Sequence, residues 1–161
     1  MLSARGFYEI MNNSLSKAVY YESKGFDPAH CVSILNPLSQ DLNVLRQSLL
    51  FGGLECIAYN QNRRLQDMKI YEFGNVYRKT GKHKGQDSLR AYEEQMMLSL
   101  LMSGRRHPEN WLTAEEAVGF FDIKAEAINV LQYLGLEERQ LQQEQTTDPL
   151  FEQCLELGIQ N

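Results

Sequence analysis

Residues 67–79 read DMKIYEFGNVYRK, and they leave a folding chain little choice. Aromatic and β-branched residues recur at every second position on both sides of Gly74, which is the period of a strand. Ile70 and Glu72 point one way, Tyr71 and Phe73 the other. A glycine inside such a run weakens it, so Gly74 marks a bulge or a crowded crossing. The polar run 79–88 reads as a hairpin loop. The segment 91–103 is apolar through Met96, Met97, Leu98, Leu100, Leu101 and Met102. That continuity fits a buried central strand, although the Leu and Met content also fits a helix.

Around this hairpin the signals are shorter. Phe7 to Asn12 alternate as a strand, and 14–21 fit a short helix behind the Asn12-Asn13 break. Gly25 to Pro28 form a turn cluster, and 31–35 read as a second strand stopped by Asn36-Pro37. Leu42, Leu45, Leu49 and Leu50 have helical spacing, yet Asn43-Val44-Leu45 also fits an extended chain. Ser48 is an N-cap candidate for a helix over 49–62, with Leu50, Leu54, Ile57 and Ala58 as its apolar face. Gly52-Gly53 costs that helix about 1 kcal/mol per glycine relative to alanine. Either the backbone is closely approached there or the helix is soft.

Thr113 to Glu116 has the form of a capping box. The following segment, 117–134, places Phe120, Phe121, Ala125, Ile128, Leu131 and Leu134 at three- and four-residue steps, an amphipathic helix ending at Gly135. Residues 137–145 are Glu- and Gln-rich and exposed, and 151–158 read as a short helix or a ragged end. This order predicts an α+β fold, an antiparallel sheet with helices against one face. The chain reads as a single domain over 1–161, with 137–161 peripheral.

A chain of 161 residues can bury one core. No apolar run is long enough for a membrane span, and the N-terminus lacks the pattern of a secretory signal. Cys31, Cys56 and Cys154 are odd in number and widely spaced, which suits a reducing cytoplasm. A net charge of −5 argues against a protein that coats nucleic acid, DNA included. Local cations remain as candidate RNA contacts: Arg64 beside Arg63, Lys82 and Lys84 in the loop 78–84, and Arg105-Arg106.

The common phosphate loops are missing, and His30, His83 and His107 have no metal-ligand spacing. The adjacent pairs Glu93-Glu94 and Glu115-Glu116 could divide acid and base roles. Neighbours on a strand face opposite sides, however, and acids in a first helical turn suit the macrodipole. Catalytic and metal-ligating residues are therefore read as none. Arg46, set among leucines at a turn, reads as a clamp that pairs with a carboxylate or caps carbonyls.

Two stretches together resemble a known family. Asn36-Pro37-Leu38-Ser39, Leu45-Arg46, Ser48-Leu49-Leu50, Gly52, Leu54-Glu55 and Asn60 through Arg63 are similar to a block of the bacterial phenylalanyl-tRNA synthetase beta chain. Tyr71 to Tyr77 resemble that family's F-E-x-G-x-V-[FY] strand, and Phe120 to Lys124 its FFD.K helix start. The resemblance implies a class II aminoacyl-tRNA synthetase catalytic-like fold, in a fragment of a longer beta chain that performs no aminoacylation. Its implied partners are the alpha chain in an α2β2 assembly and, through the complex, tRNA(Phe). ATP and Mg²⁺ serve the whole enzyme, and no cofactor is expected in this fragment. Arg78 and Glu72 then stand at a vestigial phosphate-binding hairpin, with Thr80 where the family of active enzymes carries an acid. Asn36, Pro37, Arg46, Asn60 and Arg63 become structural or interface residues.

Overall fold

The computed structural model describes residues 1–22, 25–37, 39, 41–80, 91–107, 109–112 and 114–159. Strand β1 is Tyr8–Glu9, β2 Leu15–Ser16, β3 Val32–Ser33 and β4 Val44–Leu45. Helix α1 spans Leu50–Gln61, β5 Met68–Lys79, β6 Tyr92–Ser103, α2 Phe120–Tyr133, β7 Leu141–Asp148 and β8 Phe151–Ile159. One sheet has the order β1-β5-β6, a second β2-β4-β3, and β7 pairs with β8 alone. The chain divides into two compact units. One comprises Met1–Glu9, Tyr59–Tyr71 and Leu100–Asn161, the other Ile10–Ala58 and Glu72–Ser99.

The long hairpin strands form as the alternation predicts. The Thr80 amide donates to the Ala91 carbonyl at 2.8 Å, and at the far end Ser103 Oγ donates to the Gln66 carbonyl at 3.0 Å. Those two ties require β5 and β6 to run in opposite directions. β1 adds parallel to β5, with Tyr8 opposite Ile70 and Glu9 opposite Tyr71, so this sheet is not purely antiparallel. β6 is a strand, but not the buried central one expected. It ends the strand order, and Met96 and Met97 are exposed. Apolar character shows what a strand can bury, not what lies beside it.

In the unit holding most of the N-terminal half, the segment 14–21 gives β2 and a short 3₁₀ helix, Ala18–Glu22, where one short helix was expected. The extended reading of Val44-Leu45 prevails because β4 pairs with both β2 and β3. Ser48 supports the start of α1 through its Oγ, which accepts from the Leu50 amide at 3.1 Å. Leu49 supplies the first helical carbonyl, accepting from Gly53. The buried positions of α1 are Gly53 and Ile57, whereas Leu54 and Ala58 face outward, contrary to the expected face. Phe51 stacks on Tyr20 at 4.7 Å and meets Tyr21 and Phe26 edge-on or tilted, an aromatic cluster that anchors the first turn.

In the other unit, Leu2, Phe7, Ile70, Tyr71 and Leu141 form the core. α2 begins at Phe120, later than expected. Gly119 precedes it, and its amide donates to Asp122 Oδ2 at 2.8 Å. Thr113 of the expected capping box lies outside the described residues. Glu126, not an apolar residue, is the buried position of α2. It accepts from Arg5 Nε at 2.6 Å, with Lys69 at 4.0 Å. Phe121 and Leu134, expected on the apolar face, are exposed. Residues 151–159 form a strand, correcting the helix or ragged end read from sequence. Leu141 opposite Ile159 and Gln143 opposite Leu157 set its register.

Candidate functional site

Arg46 and Glu72 meet in the unit made of Ile10–Ala58 and Glu72–Ser99, and both are buried. The guanidinium Nη1 donates to Glu72 Oε1 at 2.7 Å, and Nε donates to the Asn75 carbonyl at 2.9 Å. The main chain of Arg46 is held as firmly. Its amide donates to the Ser14 carbonyl and its carbonyl accepts from the Tyr77 amide, both at 2.9 Å. One residue thus joins the segment before β2, the end of β4 and the middle of β5. Asn12 completes the carboxylate's shell, donating from its backbone N–H at 3.1 Å and from Nδ2 at 2.8 Å.

Two glycines make room for this network. A Cβ on Gly74 would lie 2.1 Å from Arg46 Nη2, so β5 needs glycine where the guanidinium lies against it. A Cβ on Gly52 would lie 3.1 Å from Asn12 Nδ2, which explains one of the two glycines near the start of α1.

Arg78 stands further along β5, in a cleft of about 420 Å³. Val76 and Arg78 share a face of β5, and Glu93, Gln95 and Met97 share a face of β6. Glu94 and Gln47 complete the lining. Asn75 Nδ2 donates to Glu94 Oε1. Glu94 carries its carboxylate on the opposite face of β6, against Asn75, so Glu93 is the carboxylate that faces Arg78. A phosphate placed there would meet a single cation with a carboxylate directly beside it. Among the described residues, no cluster of three or more His, Cys, Asp or Glu could hold a metal ion. The acid that the chain offers nearest in sequence on β5, Glu72, is already saturated by Arg46 and Asn12.

The structure scatters the other sequence candidates. Asn36 and Pro37 are exposed at the bend after β3. The Asn60 carbonyl accepts from the Arg63 and Leu65 amides at the end of α1. Arg63 lies over the Tyr59 ring at 3.4 Å and donates to the Tyr59 carbonyl. Arg64 is exposed and has φ of 67°, the left-handed conformation that helix ends usually give to glycine. Arg105 pairs with Asp67 at 2.8 Å and with Glu109 at 3.1 Å, and Arg106 with Glu116 at 2.7 Å and Asp122 at 3.0 Å. Lys82 and Lys84 lie outside the described residues. Sequence reasoning missed Asn12, Gln47 and Glu126, whose partners are long-range and leave no local signal.

A family model described as "Phenylalanyl tRNA synthetase beta chain CLM domain" matches residues 1–160. The chain belongs to that family. It is 41% identical over 152 residues to the phenylalanine–tRNA ligase beta subunit of Bacteroides thetaiotaomicron, covering 93% of this chain and 18% of that protein. It is 39% identical to the corresponding subunit of Porphyromonas gingivalis, covering 84% of this chain and 17% of that one. The chain thus spans less than a fifth of the curated relatives it matches. A pyrrolysyl-tRNA synthetase from Desulfitobacterium hafniense superposes with a TM-score of 0.60 at 20% identity, covering 98% of this chain and 50% of that one. The fold of this beta-chain domain is the α+β, class II synthetase catalytic-like one. Among the described residues, no helix is long and apolar enough to cross a membrane.

Proposed function

We propose that this chain is a non-catalytic synthetase-like module that serves as a structural partner of the catalytic alpha chain in attaching phenylalanine to tRNA(Phe). One observation carries the reading: Arg78 shares its cleft with Glu93, while Glu72 is consumed inside the fold. Class II chemistry needs an arginine to neutralise the α-phosphate and acids to hold Mg²⁺ nearby. Here Glu93 stands where phosphate charge would develop, and Glu72 has become part of a structural clamp. ATP and Mg²⁺ are then used by the whole α2β2 complex in the cytoplasm and not by this module. The outward Leu54 and Ala58 on α1 suit contact with the alpha chain.

The test is ATP–pyrophosphate exchange with phenylalanine. The chain alone should show none above background, whereas co-expression with an alpha chain should give a complex that co-elutes in size-exclusion chromatography. Exchange by the isolated chain would overturn the reading. A tRNA-contacting role is the second reading, and one residue favours it. Arg64 is exposed and makes no ion pair among the described residues, whereas Arg105 and Arg106 are each neutralised.

A further inference from the structure

We propose that Trp111 and Leu112 form an apolar knob that docks into a basic-rimmed apolar pocket on the alpha chain. The proposal rests on the assembly reading above, because it takes that chain as the occupant.

The connection between β6 and α2 is built as a stem with a tip, all within one compact unit. In the stem, the Arg106 amide donates to the Glu116 carbonyl at 2.8 Å, the Val118 amide donates to the Gly104 carbonyl at 2.9 Å, and Arg105 bridges to Ala117. The entry is tight: Gly104 has φ of 86°, and a Cβ there would lie 2.3 Å from Asp67 Oδ1. The Arg105 guanidinium grips Asp67 through Nε and Nη2. Its Nη1 reaches both flanks of the tip, 3.1 Å from Glu109 and 3.5 Å from Glu115. Between those flanks Trp111 is 95% exposed and Leu112 76%, with the Leu112 amide donating to Asn110 Oδ1 at 3.0 Å. A tip held from both sides has less freedom to lose when it binds.

The tip has no apolar refuge at its own base. The hollow there, about 320 Å³, is lined by Arg105, His107, Glu109, Glu115 and Glu116 among others, and an indole pushed into it would strip charged groups of water. Tryptophan is the side chain that most often anchors a protein interface, and here it is presented rather than packed.

Charge selects the occupant. The side chains of Glu109, Glu115 and Glu116 are each more than half exposed around the tip. The two arginines do not balance them, since Arg105 is also bound to Asp67 and Arg106 to Asp122. An acidic collar repels phosphate, which opposes both a nucleic acid and an anionic lipid surface, and a second copy would bring the same collar. A protein pocket rimmed by Lys or Arg is its complement.

Trp111 is the single tryptophan of the chain, so fluorotryptophan labelling gives one fluorine resonance to follow by NMR. In the chain alone that resonance should be fully open to a soluble gadolinium chelate; unlabelled alpha chain should shift it and shield it. Trp111→Ala should leave the urea midpoint of the free chain unchanged and weaken binding to the alpha chain about thirtyfold, the loss typical of an interface anchor. Glu109→Gln with Glu115→Gln should flatten the salt dependence of binding, and an unchanged salt slope overturns the basic rim. Co-elution with the alpha chain while the resonance stays open to the chelate, or while Trp111→Ala binds as well as the native chain, overturns the knob and leaves the assembly reading standing. Failure to co-elute overturns the assembly reading, and the occupant with it. Shielding by tRNA alone, by anionic vesicles, or by raising the concentration of the chain alone overturns the assignment to the alpha chain.

Discussion

Gly74→Ala is the sharpest perturbation that the buried network offers. The new methyl would sit 2.1 Å from Arg46 Nη2 and 3.1 Å from both Arg46 Cζ and Leu49 Cδ2. A flexible arginine tip could ordinarily step aside at little cost. This one is pinned by Glu72 at 2.7 Å and by the Asn75 carbonyl at 2.9 Å, with 8% of its side chain exposed. Moving the guanidinium leaves a carboxylate that is 2% exposed without its counter-ion. Separating a buried pair in this way costs about 3–5 kcal/mol, a large share of the 5–15 kcal/mol that typically holds a domain. Urea unfolding followed by circular dichroism should show the midpoint fall with little change in m. The decisive comparison is the same substitution in an Arg46→Met, Glu72→Leu background. No charge remains there to be stranded, and methionine yields easily, so Gly74→Ala should cost less than about 1 kcal/mol. Equal losses in the two backgrounds, or a small loss in the native one, would refute the account.

At the end of α1, Arg64→Gly should raise stability by about 0.5–1 kcal/mol, because glycine removes the left-handed penalty but gives back some unfolded-chain entropy; a shift of the urea midpoint to higher concentration checks it. Acid should weaken the unit that holds Asp67 and Asp122. Hydrogen bonds from Arg105 hold the Asp67 carboxyl below its ordinary value, and the Gly119 amide followed by Arg106 does so for Asp122. Folded values lie below the unfolded one of about 3.9, so this stabilisation is present above that pH and is lost as pH falls through the depressed values. Stability measured from neutral pH downward should therefore decline more gently in the Asp67→Asn, Asp122→Asn double variant than in the native chain.

What the sequence discloses depends on whether the physical cause is local. The alternation around Gly74 is local, and β5 forms over Met68–Lys79. Ser48 before α1 is local too. Arg46 announces a clamp by its type and setting, but its carboxylate lies 26 residues away and nothing in either stretch names the partner. Glu126 escapes for the same reason: its burial depends on Arg5, 121 residues distant. In β8 the apolar Leu155, Leu157 and Ile159 do alternate, yet Gln153 and Cys154 blur the period. Pairing with β7 settles it. The apolar run of β6 identifies a strand while misjudging its surroundings, since burial belongs to the neighbour and not to the run.

Asn12, Arg46 and the pair Glu72 and Gly74 come from three separate places along the chain, yet none has a meaning without the rest. Such a quartet works as a unit. A lineage that loses the glycine must surrender the arginine, and with it the reason to keep the acid and the amide. Drift at this spot is therefore confined to coordinated replacement, and intermediates with a partial set carry the penalty of a stranded charge.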